Sequence, residues 1–242
     1  MTIRLEVCMD DVSGLAACAA GGADRIELCS ALDLGGLTPS PGLISAASKS
    51  TVPVRAMIRP RAGDFVFTDA EMDVMLADIA AVRAAGLAGV VLGATTAENE
   101  LDIAALARLV DAAGHLGKTL HRAVDLLPDP VTAVDITIHL GFDCILTSGG
   151  ALSAEAGAAV IAAMVERAAG RIDIMAGSGV RPENAAAIHR DTRAHWLHSS
   201  CGRTEANGED IRHFGFGPDE RRLTDADRIR TLKAAATSGD PS

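Results

Sequence analysis

Tyrosine is absent from the 242-residue chain, which carries one tryptophan and five phenylalanines. Against that background, Phe214 and Phe216 in one loop stand out as an apolar clip, at a subunit contact first and over a site mouth second. Cysteine is also sparse. Cys8, Cys18, Cys29, Cys144 and Cys201 are odd in number and widely spread, which suits reduced thiols better than a disulfide framework. No Cys-x-x-Cys or His-x-x-x-His pair marks a preformed metal site. No apolar run approaches about 18 residues, and the opening MTIRLEV lacks a cationic stretch followed by an apolar one. A soluble cytoplasmic protein without a membrane partner is expected. There is no Lys/Arg run, and the formal net charge is -10. Nucleic acid and anionic membrane surfaces are therefore poor partners, while small molecules and metal ions are good ones. No break in composition divides the chain, so one domain is expected over residues 1–236, with the polar TSGDPS at 237–242 as a disordered tail.

What is present is a repeating strand-then-helix unit. Arg4-Leu5-Glu6-Val7-Cys8 and Arg25-Ile26-Glu27-Leu28-Cys29 are two short strands with the same order of residue types, and alternation sets each Glu beside its Cys on one face. Asp10 or Asp11 caps a helix between them, with Val12, Leu15, Ala16 and Ala19 on one face. Gly35-Gly36 and the cap Ser40-Pro41 follow the second strand. Further strands are expected at 52–58, 89–93, 118–121, 144–147, 172–176 and 195–199, with helical stripes between them such as Met72, Met75, Leu76, Ile79 and Val82. Eight such units in about 240 residues predict a closed (β/α)8 TIM barrel, with an open doubly wound sheet as the runner-up. No Gly-x-Gly-x-x-Gly follows the first strand. Residues 201–223 read as a long irregular loop, and Thr224 opens a last helix.

Barrel sites form where strands end, and here almost every strand ends in polar residues. Glu6, Glu27, Arg59 and His121 are the catalytic candidates. Arg61, Arg122, Asp125 and Ser148 follow strands three, five and six, and Gly177, Ser178, Gly179 and Ser199 follow strands seven and eight. All eight are candidates for binding a substrate or anion, and the last four stand where loop amides commonly hold phosphate. A competing reading pairs Glu6 and Glu27 with Arg59 and Arg122 in a purely structural ion network. Cys8 and Cys29, on neighbouring strands but axially offset, suit the soft ion Cu(I) better than Zn(II), which wants four ligands.

The stretches LEVC (5–8), GGADRIELCS (21–30), GGLTPS (35–40), IRPRAGDF (58–65), HRAVD (121–125), LTSGG (146–150), MAGSGV (175–180) and HSS (198–200) resemble the CutC copper homeostasis family. The likeness runs in order over about five sixths of the chain. It departs from the family pattern at Ala62, where a second Gly is usual, at Val124, where Phe is usual, and after Ser200. The resemblance implies a (β/α)8 barrel, a cytoplasmic homo-oligomer of two or more copies, and a role in copper handling with Cu(I) on Cys8 and Cys29. The Arg, His and Gly/Ser groups exceed what a metal chaperone needs. They carry the alternative of an enzyme of lyase, isomerase or hydrolase type acting on a small anionic, possibly phosphorylated metabolite, with Glu6 or Glu27 as base, His121 as acid or electrophile and Arg59 and Arg61 as clamps.

Overall fold

A computed structural model describes residues 3–237. The 237–242 tail proposed from composition lies almost wholly outside them. The strands are β1 (Arg4–Met9), β2 (Arg25–Leu28), β3 (Val54–Met57), β4 (Gly89–Leu92), β5 (Gly117–Leu120), β6 (Cys144–Thr147), β7 (Asp173–Ala176) and β8 (Trp196–Ser199). Each pairs in parallel with the next, and β8 returns to β1 through Leu5↔Leu197, Glu6↔His198 and Val7↔Ser199. That last ladder closes the barrel and overturns the open-sheet alternative. The helices are α1 (Val12–Gly21), α2 (Pro41–Ala47), α3 (Asp69–Ala84), α4 (Ile103–Ala113), α5 (Ala133–Leu140), α6 (Ala158–Ala168), α7 (Pro182–Thr192), α8 (Glu209–His213) and α9 (Ala226–Thr237). Among the described residues no helix is long and apolar enough to cross a membrane.

Alternation along four-residue strands sorts the side chains into two layers. Leu5, Val7 and Met9 of β1, Ile26 and Leu28 of β2 and Val90 and Leu92 of β4 join the helix stripes in the main apolar shell. Their neighbours in sequence face the barrel axis. Cys144, Leu146, Met175 and Trp196 form one apolar cluster there, and Cys29, Met57 and Val91 a smaller one. The interior polar positions are thus dictated by the same period that builds the shell.

Local signals set most helix starts. Asp11 accepts from the Gly14 amide and caps α1, Ser40 caps α2, and Thr68 with Glu71 forms the capping box of α3. Other expectations need correction. The buried stripe of α1 is Gly14, Cys18 and Gly21, whereas Val12 is 63% exposed, because α1 makes its close contacts through its small residues, Gly14 on Met9 of β1 and Gly21 on Ile229 of α9. The start of α4 is likewise outward, with Ile103 exposed. Pro130 lies in a turn before α5, which begins at Ala133, and Asp225 rather than Thr224 caps α9. Residues 201–223 are not an irregular loop. They fold as an antiparallel ribbon of β9 (Gly202–Ala206) and β10 (Glu220–Thr224) around α8. Phe214 and Phe216 stack at its tip, 66% and 77% exposed.

With the ribbon interposed, α9 fills the eighth helical place between α7 and α1. Ile229 and Leu232 are fully buried there, and a Cβ on Gly21 would come within 2.6 Å of the Ile229 side chain. Ile229→Ala is therefore expected to cost about 2–5 kcal/mol in equilibrium denaturation through cavity formation. A loss below about 0.5 kcal/mol, the size of an ordinary surface change, would show that α9 does not seal the ring.

Candidate functional site

Three adjacent strands, β8, β1 and β2, bring the central polar groups together. Register pairs Glu6 with both Arg25 and His198, and Cys8 with Glu27. Glu6 is wholly buried. Its carboxylate accepts from Arg25 Nε on one oxygen, while its other oxygen lies 2.9 Å from His198 Nδ1. An unpaired charge at this depth costs several kcal/mol, so both partners are needed. Burial drives the Glu6 carboxyl upward, but Arg25 and His198 outweigh it and hold the carboxyl down at about 2. Arg25 in turn lies 4.1 Å over the Trp196 ring, with Nη2 3.6 Å from both Cys144 Sγ and Met175 Sδ. These groups form the floor of the site.

Above the floor the same Glu-x-Cys motif behaves differently. Glu27 is raised above the ordinary carboxylate range because burial outweighs the pull of His198. Cys29 Sγ donates to Glu27 Oε2 at 3.6 Å, and Glu27 Oε1 is buried without a partner. Burial depresses the His198 imidazole, yet Cys8 and Glu27 beside it, with the hydrogen bonds it makes to Cys8 and Glu6, hold it well above its usual value. Ligand atoms of Cys8, Glu27 and His198 lie within 4.8 Å of one another, a thiol, a carboxylate and an imidazole that together can hold one metal ion. Cys29 stands outside this set, its thiol pushed well up by burial and by Glu27.

His121 follows β5. Gly93, at the end of β4, has no side chain because a Cβ there would meet the His121 ring at 2.5 Å. The ring leans on Phe65 at 4.7 Å, and Nδ1 accepts from the Ala123 amide, which leaves the hydrogen on Nε2. Nε2 is buried and unpartnered. Burial and the nearby Arg59 lower the imidazole to about 3, so at neutral pH it is an uncharged donor.

The remaining sequence candidates divide by position. Arg59 donates to the carbonyls of Leu34, Gly36 and Gly63 and lines the cavity, rather than pairing with Glu6 or Glu27. Arg61 turns away to Glu71 and Asp64, bracing the start of α3 outside the cavity lining. Asp125 accepts from Thr147 Oγ1 and from the Ser148 and Gly150 amides, so the loop after β6 is already filled by a carboxylate of the chain itself. Ser148 bonds to Asp125, the Ala151 carbonyl and Arg122, and of this group only Arg122 reaches the cavity lining. Gly177 packs under Leu146 and His198, whereas Ser178, Gly179 and Ser199 line the opening.

The cavity has a volume of about 680 Å³, with Cys8, Glu27 and His198 among its lining residues. Arg59, Arg122, Arg181, Arg222 and Arg228 also line it, against one carboxylate, Glu27. The model of the CutC family matches residues 3–203. The chain belongs to the CutC family. A CutC family protein of Sinorhizobium medicae is 53% identical over 233 residues, spanning 96% of this chain and 95% of that protein. One from Caulobacter vibrioides is 49% identical over 240 residues, 96% of this chain and 98% of its own. The structure of CutC from Streptococcus agalactiae, a candidate copper homeostasis protein, superposes with a TM-score of 0.79 at 34% identity, covering 82% of this chain and 99% of that one. Deoxyribose phosphate aldolase of Aeropyrum pernix, at 14% identity and TM-score 0.63, shares the fold.

In this CutC-family barrel the sequence assigns no role to Arg25, Arg181, Arg222 and Arg228, and places His198 only in the HSS stretch at the end of strand eight, not as a partner of Glu6 or a ligand. A signal existed for two of them. Arg25 is in phase with Glu27 on β2, and His198 ends β8 just as Glu6 lies within β1, a position that matters once the barrel is closed. Replacing the floor carboxylate, Glu6→Gln, is expected to cost about 3–5 kcal/mol, because Arg25 and His198 lose their counter-charge. The folded carboxyl, at about 2, lies below its unfolded value of 4.5. The stability it supplies is thus complete above 4.5 and lost as pH falls toward 2. The gap between wild type and variant should therefore close over that window in urea titrations. A gap that stays constant down to pH 2 would show that Glu6 is not held ionised.

Proposed function

We propose that this CutC-family protein serves copper homeostasis by holding one Cu(I) ion at the barrel mouth, on Cys8 and His198 with Glu27 beside them. The observation that carries this reading is the convergence of thiol, imidazole and carboxylate within 4.8 Å, with one carboxylate oxygen lacking any partner. The donor chemistry fits: thiolate and imidazole suit a soft monovalent ion, and a site with few ligands is what Cu(I) accepts. His198 Nδ1 is occupied by Glu6, which fixes the ring, so that an ion displacing the Nε2 proton finds that nitrogen aimed at it, the usual outer-shell arrangement for a metal-binding histidine. Cys29, which the sequence pairs with Cys8 as a Cu(I) ligand, is assigned a supporting place through its hydrogen bond to Glu27. A cytoplasmic location and a homo-oligomer belong to the same reading. The five free cysteines support the first, and the exposed pair Phe214 and Phe216 supports the second.

Cys8→Ser is expected to weaken Cu(I) binding in an anaerobic competition assay by more than the roughly 10–100-fold that loss of an outer-shell partner costs. Cys29→Ser should weaken it less. Equal Cu(I) affinity in wild type and Cys8→Ser rejects the site.

A second reading, an enzyme acting on a small anionic molecule, is favoured by the size and charge of the cavity. About 680 Å³ is far more than one ion needs, and five arginines line it in a chain of net charge -10. Here Glu27 is the group placed for proton transfer, His121 Nε2–H is a donor to a developing oxyanion, and Arg59 a clamp. Solvent extraction of the purified wild-type protein should release a small anion in near-stoichiometric amount. Protein that yields metal and no such molecule counts against this reading.

A further inference from the structure

From Thr204 on, the ribbon β9–β10 and the start of α9 lie beyond the segment matched by the CutC family model, and they reach the cavity through Thr204, Arg222 and Arg228, with Gly202 at the ribbon's start. Thr204 and Arg222 are cross-strand partners on the ribbon. Gly202 gives the Arg222 stem its path, since a Cβ there would meet Arg222 Cγ at 2.3 Å. Arg228 is tied at one nitrogen to the Gly202 carbonyl. Arg222 and Arg181 are exposed at the opening and make no side-chain ion pair or hydrogen bond among the described residues, so their guanidinium groups are available to an anion.

Facing these cations are unused donors. The amides of Ser178, Gly179, Val180 and Ser200 find no acceptor among the described residues, and all four residues line the cavity. Ser178 and Gly179 both have positive φ, at 77° and 73°, a turn that opens successive N–H groups to one side immediately before α7. Deeper in the same cavity, His121 Nε2 and Glu27 Oε1 are buried polar atoms with no partner. The opening therefore offers donors to an anion, and the interior has polar atoms waiting for the rest of a molecule.

We propose that the C-terminal ribbon is the specificity element of the pocket. Arg222 and Arg228, with Arg181, select a small molecule bearing a phosphate group, whose oxygens dock on the amides of 178–180 and 200. This deepens the small-anion reading above and rests on it. Phosphate is favoured over carboxylate because three tetrahedrally spread oxygens can use amides and guanidinium forks together, whereas a planar carboxylate satisfies only one such set.

The test is calorimetric titration of the full chain with inorganic phosphate and with citrate, against sodium chloride at matched ionic strength. Wild type should bind phosphate, and Arg222→Ala/Arg228→Ala should weaken it by about tenfold or more, the loss of one to two charged hydrogen bonds. Arg222→Lys/Arg228→Lys should recover part of the loss, and Cu(I) affinity should be unchanged in both variants. Phosphate affinity that survives in the alanine variant overturns the role of the ribbon while leaving the small-anion pocket standing. Tighter binding of citrate, lost in the alanine variant, overturns phosphate as the ligand class. Wild type that binds neither anion beyond the chloride control overturns the pocket reading and the ribbon with it.

Discussion

A carboxylate with no access to solvent sits on the axis of this barrel, and most of the polar architecture follows from keeping it ionised. Glu6 requires two donors in fixed positions, and the structure supplies one from each neighbouring strand. Arg25 comes from β2 and His198 from β8, so the network spans the seam where the first and last strands meet. The closure of the sheet and the neutralisation of Glu6 are thereby one event: a β8 displaced by one residue would turn His198 into the helix layer and strand the charge.

The same interaction sets the chemistry one layer higher. His198 gives Nδ1 to Glu6, which leaves Nε2 for Glu27, 3.6 Å away, and for Cys8. Glu27 lacks an arginine partner of its own, and burial accordingly raises it while Glu6 is lowered. Two glutamates in identical sequence contexts diverge because the barrel stagger places one against the Arg25 floor and the other against the open cavity. The repeated motif yields an anchor and an adaptable group, a division that serves metal binding and acid–base chemistry equally well.

Much of this was legible in the chain. Unbroken alternation of strand and helix signals specifies the barrel, and the two-residue period of RLEVC and RIELC puts Glu6, Cys8, Glu27 and Cys29 inside it. What escaped depends on contacts between distant residues. Glu6 and His198 are separated by 192 positions, and no local pattern names that pair. Arg59 and Arg61 share a face by alternation, yet Pro60 and the turn that follows send one into the cavity and the other to the Glu71 capping box, so the shared period fails beyond the strand end. Asp125 looked like a site residue and instead fills the loop after β6, because free amides attract the nearest anion whether it belongs to a ligand or to the chain. The ribbon was read as irregular because its strands carry exposed polar residues on both faces, leaving no apolar alternation to detect.

The turns after β6 and β7 are similar in sequence, Ser148-Gly149-Gly150 against Ser178-Gly179, and both present backbone N–H groups beside an arginine. In the first, Asp125 satisfies the amides and Arg122 together, and the wall is finished. In the second no carboxylate among the described residues accepts from the amides, although acidic residues outnumber basic ones by 32 to 22. An acidic chain that places five arginines and a single carboxylate, itself raised toward its neutral form, along one cavity has arranged a local field opposite to its overall charge. Such a field draws anions toward the opening. The thiol, imidazole and carboxylate of the proposed site lie beneath that field.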